Sequence, residues 1–316
     1  MVQENSLVPL ICILGPTAVG KSALGVELAK RLNGAVISAD AFQLYRGMNI
    51  GTAKPTESEM QGVPHYMIDV KSPCERYDSA DFANDVCAVL DSLRSKDTPA
   101  ILVGGTAFYV KTLLYGLDFG NSYSEEIRKD LNSFLQEHGK EELYAYLQKV
   151  DERSAGELSP NDTKRVMRAL EIFLVTGQRK SEGEQTKKVK IPHVLYALDM
   201  PRNILYRRIN RRVDQMFEEG LIDEVRTLLQ TVNPSAQSMQ AIGYKETVAY
   251  LNGVLTKEEC ISQIQQHTRN YAKRQITFLK KMQPIWLDAR IGTVALADRI
   301  LAGAEDTESP RNFSLF

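Results

Sequence analysis

Residues 15 to 22 read Gly-Pro-Thr-Ala-Val-Gly-Lys-Ser, a complete G-x-x-x-x-G-K-[ST] loop set directly behind the apolar run Leu10 to Leu14. The stretch Ala23 to Ala29 that follows has helical apolar spacing, so strand, glycine loop and helix come in the order a phosphate cradle requires. The loop residues Gly15, Pro16, Thr17, Ala18, Val19 and Gly20 turn their N–H groups, Pro16 excepted, toward the same point as the positive end of the helix dipole. Lys21 adds a point charge there, and the Ser22 hydroxyl suits a Mg²⁺ ligand. Such a cradle holds a di- or triphosphate. It leaves open whether the phosphate is transferred, hydrolysed or expelled.

Two further segments carry chemistry of the same kind. Asp40 stands just beyond the short apolar run Ala35 to Ser38, with Ala39 between, and Gly104-Gly105-Thr106 ends the run Ala100 to Val103. A carboxylate at the carboxyl end of a strand, facing a phosphate loop, can act as general base or hold Mg²⁺ through water. It equally suits a helix cap or a turn. Arg208 and Arg212, four apart within a basic stretch, share a helix face and suit a diphosphate clamp, although a solvated basic face gives the same spacing.

The elements that would position these groups follow from the pattern of short apolar runs at Leu10 to Leu14, Ala35 to Ser38, Tyr66 to Val70, Ala100 to Val103, Val194 to Leu198 and Ile285 to Leu287. Most are separated by helical patterns, which predicts an α/β fold with a parallel sheet flanked by helices, binding ligands at the carboxyl ends of its strands. Between about Gly120 and Lys190 the strand signal stops. Ile127, Leu131, Phe134, Leu135 and His138 share one helical face, Leu143, Leu147 and Val150 continue in a second helix, and Thr163 to Phe173 form a third with Asn161 or Asp162 as cap. The expected organisation is a discontinuous core, 1–119 and 191–302, a helical insertion, 120–190, and a polar tail, 303–316, expected to be disordered. The polar stretch Ser181 to Lys190 is expected to be a mobile return connection.

Composition narrows the class. With 316 residues, 43% hydrophobic and 25% charged, the chain suits a large soluble α/β domain plus an insert. A formal net charge of -1 excludes a globally basic nucleic-acid coat but not a local basic groove. The four cysteines, Cys12, Cys74, Cys87 and Cys260, form no C-x-x-C pair and fit neither a disulfide framework nor a zinc site. No signal peptide or membrane span is evident, so a cytoplasmic protein is expected.

Taken together, the loop, Asp40 with Gln43 and Tyr45, the run Gly47 to Pro55, and Gly104-Gly105-Thr106 resemble the bacterial tRNA dimethylallyltransferase family, also called tRNA isopentenyltransferase. The likeness continues through Asn161 to Glu171, Gln240 to Glu246 and Thr268 to Gln275, covering about the first nine tenths of the chain. It implies a P-loop NTPase-like core and transfer of a dimethylallyl group from dimethylallyl diphosphate to N6 of an adenosine beside the anticodon. The loop then holds a leaving diphosphate, with Mg²⁺ as cofactor. By resemblance Asp40 is the base, Thr106 sits with Lys21 and Ser22 at the diphosphate, and one of Arg208 and Arg212 contacts that group. The partner is a tRNA anticodon stem-loop, no membrane is involved, and the expected state is a monomer.

The resemblance places tRNA contacts at Asp40, Ala41, Phe42, Gln43, Thr106 and Arg128, and along Lys164, Arg165, Val166, Met167 and Arg168. Arg269, Lys273 and Arg274 add basic groups at helical spacing. Gln43 is expected to offer its amide to the adenine edge. The chain departs from the family at Ala41, where a serine is common, and at Asn49, where an aspartate is common. From another reaction class, a P-loop kinase of a small metabolite competes, with Asp40 activating a hydroxyl and Asp69 available as a Mg²⁺ ligand. A third possibility is a nucleotide-regulated RNA-binding module, which gives Asp40 and Thr106 no role.

Overall fold

The computed structural model describes residues 9–116, 123–183 and 191–305. Six strands, β1 (Leu10–Leu14), β2 (Ala35–Ala39), β3 (His65–Tyr66), β4 (Ala100–Gly104), β5 (His193–Asp199) and β6 (Ile285–Asp288), form one sheet in the order β3-β2-β4-β1-β5-β6. Every pairing is parallel. Parallel neighbours need crossover connections, which here contain helices, and all six carboxyl ends therefore lie on one edge. Every residue of β1 and β2 is buried, which explains why these strands read as continuous apolar runs instead of alternating ones. The fold is the expected α/β class.

The chain divides into two compact units, one comprising residues up to Leu114 and from Ile191 onward, the other Tyr115–Lys190. In the first, the helix Lys21–Leu32 lays Leu24, Val26 and Leu28 into a core shared with Ile11, Ile13, Ile101 and Val103. The helices Arg202–Glu218 and Lys257–Lys280 add Leu205, Ile209, Ala272 and Ile276 to the same core.

The second unit is helical. Its long segment Glu125–Val150 is two helices joined at Gly139, whose φ of 83° and ψ of 175° leave the helical region. Leu131, Leu143 and Leu147 pack against Val166, Ala169 and Leu170 of the helix Thr163–Thr176. Asp162 caps that helix by accepting from the Arg165 N–H at 3.4 Å, and Gly177 ends it with a φ of 71°.

Three expectations change. The strand expected over Tyr66 to Val70 stops at Tyr66, because Met67 and Asp69 adopt positive φ of 62° and 55°, which breaks an extended chain. The tail expected from Gly303 is helical through Glu305, and its remainder lies outside the described residues. The return connection begins as a short helix, Lys180–Gly183, with 184–190 likewise outside them.

Candidate active site

Gly15 takes a φ of 150° where the loop leaves β1, and a Cβ there would stand 2.8 Å from the Leu198 carbonyl oxygen of β5. Any side chain would lift the loop off the sheet. Ala18 (φ 62°) and Gly20 (φ 107°) complete the curl into the helix Lys21–Leu32, whose start has no side-chain cap. No side chain takes up the first N–H groups of that helix at its cap position, an arrangement suited to an anion.

Lys21 Nζ donates to the Pro16 carbonyl at 2.8 Å across the loop. Burial, and then the neighbouring Arg212 charge, bring its ammonium down to about 7, with Asp40 acting in the opposite direction. A bound diphosphate favours the charged form, so binding above pH 7 must draw a proton onto Lys21. Diphosphate affinity is expected to fall as the pH rises from about 7 to 9, with proton uptake approaching one per site. Calorimetry in buffers of different ionisation heat measures this directly. Equal heats in all buffers would mean the lysine is already charged.

Asp40 follows β2, and its Oδ1 accepts from the Phe42 N–H at 2.9 Å and the Gln43 N–H at 3.3 Å. This turn orients the carboxylate. Thr106 arrives from the adjacent strand β4, whose Gly104 is paired with Ala39. Its N–H donates to the Ala39 carbonyl at 3.1 Å, and its Oγ1 accepts from the Ala41 N–H at 3.0 Å. Because that last bond uses backbone, alanine at position 41 costs nothing there.

The other departure is accommodated as well. Asn49 Oδ1 accepts from Lys54 Nζ at 2.9 Å, and the same ammonium bonds Asp69 Oδ1 at 2.5 Å.

Of the two candidate clamp arginines, Arg212 reaches the loop. Its guanidinium donates to Thr17 Oγ1 at 3.3 Å and to the Ala53 carbonyl at 3.4 Å, whereas Arg208 is exposed. Burial lowers the Arg212 pKa and the Asp40 charge acts against this. A cavity of about 130 Å³ gathers Thr17, Asp40, Phe42 and Arg212 with the apolar Ile209, Val213, Met216, Ile242 and Ile264. One space thus combines a cation, a carboxylate and an aliphatic wall.

Several residues that build this site were not singled out from sequence. Gln275 bridges Thr17 and Gly105, and Tyr271, one turn earlier on the same helix, meets Thr106 and Gln275 with its hydroxyl. Burial first, and then the Asp40 charge, push that phenol up to about 12. Glu224 accepts from the N–H groups of Asn49, Ile50 and Gly51 at 2.8, 2.8 and 3.1 Å and from the Tyr244 hydroxyl at 2.6 Å. It anchors the segment whose Gly51 and Thr52 line the cavity.

Three residues of the expected tRNA contacts also have partners within the chain. The Gln43 amide is engaged internally: Oε1 accepts from Ser38 Oγ at 2.9 Å and Nε2 donates to the Thr52 and Ala53 carbonyls at 3.3 and 3.2 Å. It pins the cavity wall. In the helical unit, Val166 is buried in the core and Met167, partly buried, packs against it. Helical geometry requires this, since the core face recurs every three or four residues.

On that helix Lys164 and Arg165 are exposed. Arg168 Nη1 and Arg128 Nη2 both donate to Glu171 Oε2, at 2.8 and 2.9 Å, while 37% and 43% of their side chains remain exposed. The buried carboxylate holds the two guanidinium groups side by side. Elsewhere, Arg269 donates to Asn210 Oδ1 at 2.6 Å, Lys273 lies over the Tyr206 ring and Arg274 over that of Tyr271.

For a metal, Ser22 offers an exposed hydroxyl at the start of the loop helix. Among the described residues no group of three or more His, Cys, Asp or Glu is placed to hold an ion. One hydroxyl beside an anion cradle fits Mg²⁺, an ion commonly bound by few protein ligands together with substrate phosphates.

Comparison with known proteins gives one answer. The family described as IPP transferase matches residues 43–282, a span that starts just beyond Asp40. The tRNA dimethylallyltransferase of Halalkalibacterium halodurans is 45% identical over 284 residues, 88% of this chain and 90% of the relative. That of Oceanobacillus iheyensis is 43% identical over 293 residues, 89% of this chain and 94% of the relative. The crystal structure of a full-length tRNA isopentenylpyrophosphate transferase from Bacillus halodurans superposes with a TM-score of 0.71 at 41% identity, covering 95% and 97% of the two chains. A eukaryotic dimethylallyltransferase acting on tRNA gives a TM-score of 0.76 at 32% identity, covering 89% of this chain and 73% of the other. With a phosphate loop, a carboxylate and a partly apolar cavity on one sheet edge, and relatives this similar along nearly its whole length, the chain belongs to the IPP transferase family.

Proposed function

We propose that the chain transfers the dimethylallyl group of dimethylallyl diphosphate to the exocyclic N6 of an adenosine next to the anticodon of tRNA. The observation that carries this reading is the cavity in which Asp40, Thr17 and Arg212 share a lining with Ile209, Val213, Met216, Ile242 and Ile264. A branched five-carbon chain is matched by an aliphatic wall beside an anion cradle. A kinase of a small polar metabolite has no use for that wall. Asp69, the alternative metal ligand, is paired with Lys54, which weakens the kinase reading further.

The chemistry follows from the geometry. The loop N–H groups, Lys21 and Arg212 receive the diphosphate, and as the bond from its oxygen to the allylic carbon breaks, the charge left on that oxygen falls among fixed donors. The adenine nitrogen forms the new C–N bond. Its lone pair is delocalised into the ring, so it gains nucleophilicity only as its proton departs, and Asp40, oriented by the Phe42 and Gln43 N–H groups, is the acceptor. Thr106 steadies that turn through Ala41. Ser22 would hold Mg²⁺, whose contribution is to offset diphosphate charge.

The base must leave its stack to enter such a cavity. Exposed Lys164 and Arg165, with Arg128 and Arg168, are assigned to phosphate contacts on the helical unit, and Lys273 and Arg274 to further ones on the first unit. Neutralising Lys164 and Arg165 together is expected to weaken tRNA binding and reduce the salt slope by about 1 to 2, leaving dimethylallyl diphosphate binding unchanged. Binding titrations at several salt concentrations check it, and an unaltered slope would place the RNA elsewhere. Both side chains are exposed, so the fold is not at risk.

The test of the reaction is direct. Purified protein is incubated with unmodified tRNA and either dimethylallyl diphosphate labelled in its carbon chain or ATP labelled at its γ-phosphate. Carbon label is expected on adenosine, with one diphosphate released per transfer. Phosphoryl label on a small metabolite would establish the kinase instead.

A further inference from the structure

Gln275 lies on the helix Lys257–Lys280 and is 5% exposed, yet it is uncharged and far in sequence from the groups it joins. Its Oε1 accepts from the Thr17 N–H at 2.9 Å and its Nε2 donates to the Gly105 carbonyl at 2.9 Å. One partner is a donor and the other an acceptor, so only an amide in this one orientation satisfies both. Gly105 is fitted to the bridge: a Cβ there would stand 2.3 Å from the Gln275 Nε2.

The two ends of the bridge belong to different parts of the chemistry. Thr17 is in the diphosphate loop. Gly105 precedes Thr106, which bonds Ala39 and Ala41 on either side of Asp40. A continuous hydrogen-bonded path therefore runs from the anion cradle through Gln275 to the turn that presents the carboxylate. We propose that Gln275 is a positioning residue that fixes the separation between the diphosphate cradle and Asp40, and hence the alignment of leaving group, allylic carbon and adenine nitrogen. This rests on the proposed prenyl transfer with Asp40 as base.

Alignment, unlike binding, is sensitive to displacements of about 1 Å, which cost on the order of 10²-fold in rate. Gln275→Met keeps the volume and removes both bonds, whereas Gly105→Ala leaves the amide in the chain and pushes it out of place. Each variant is expected to lower single-turnover prenyl transfer per active site about 10- to 100-fold, with the Kd for inorganic diphosphate within about 3-fold of the parent. The decisive measurement is the double variant. If both changes act through one bridge, combining them adds no more than about 3-fold to the larger single loss, because the second has nothing left to break. Independent damage to the fold would instead multiply.

Transfer within about 2-fold of the parent in Gln275→Met, a loss that appears only as weaker diphosphate binding, or multiplying losses would each overturn the proposal. Asp40→Asn measured alongside separates the levels. If Asp40→Asn is inactive while Gln275→Met is normal, the bridge alone is wrong. If Asp40→Asn turns over normally, the base assignment fails and takes the bridge with it.

Discussion

Replacing Asp40 with asparagine is expected to slow prenyl transfer by about 10² to 10⁴ while dimethylallyl diphosphate remains bound. Asparagine is nearly isosteric and its Oδ1 can still accept from the Phe42 and Gln43 N–H groups, the two bonds that shape the turn. The Thr106 bond to Ala41 uses backbone and also survives. What disappears is the capacity to take a proton from N6 as the C–N bond forms. The loss therefore isolates proton transfer from architecture, which an alanine at the same position would not.

One side effect has a known sign. Asp40 supports the charge on Lys21, so its removal lowers the lysine pKa further, and the alkaline fall in diphosphate binding should begin at a lower pH. Single-turnover transfer should be read at saturating dimethylallyl diphosphate near neutrality, with binding measured separately. A rate within 10-fold of the parent would show that the N6 proton leaves by another route, and would return Asp40 to the turn-forming role its position also permits.

The parts legible in the sequence were those whose chemistry requires a fixed spacing or an unusual residue. Gly15 to Ser22 could be read because a loop pressed against β5 tolerates no side chain at Gly15, and β1, β2 and β4 because strands buried on both faces cannot disguise their apolar runs. Charge was a poorer guide. On the helix Lys257–Lys280 it drew attention to Arg269, Lys273 and Arg274, while the face that builds the cavity is Ile264, Thr268 and Tyr271, with Gln275 behind it. These recur at three- and four-residue intervals, a spacing shared by any helix packed on a core. Nothing in an isolated glutamine announces that its amide will meet a loop 258 residues away. Glu224 is a similar case: a surface-type residue in sequence, it becomes an anchor only when the segment Asn49 to Gly51 folds onto it. Gln43 is ambiguous for the opposite reason: an amide suited to reading a base edge is equally suited to satisfying backbone carbonyls, and here it donates to those of Thr52 and Ala53.

Arg208 and Arg212 were indistinguishable by spacing, and the structure turns that ambiguity into a prediction. Arg212→Gln is expected to lower transfer by about 10² to 10³, the scale for removing one preorganised donor from developing charge. Arg208→Gln, changed on the exposed side of the same helix, should stay within about 3-fold as long as RNA contacts are weak there. Arg212 stands at the loop through Thr17 and at the cavity wall through Ala53, so its loss removes a charge from the place where the departing diphosphate accumulates it.

A second readout separates this from simple loss of structure. The Arg212 charge is one of the causes that depress the Lys21 ammonium. Without it the lysine pKa must rise, so the free enzyme holds its proton to higher pH and the proton taken up on diphosphate binding diminishes. The alkaline fall in diphosphate affinity should therefore move upward in pH in Arg212→Gln even as the rate declines. Because burial is the larger cause of the Lys21 shift, a merely loosened and better hydrated site would raise that midpoint as well. Arg212→Lys, which keeps the charge, separates the two, since it should hold the midpoint near the parent's if the Arg212 charge sets it. An equal upward shift in both variants would point to loosening.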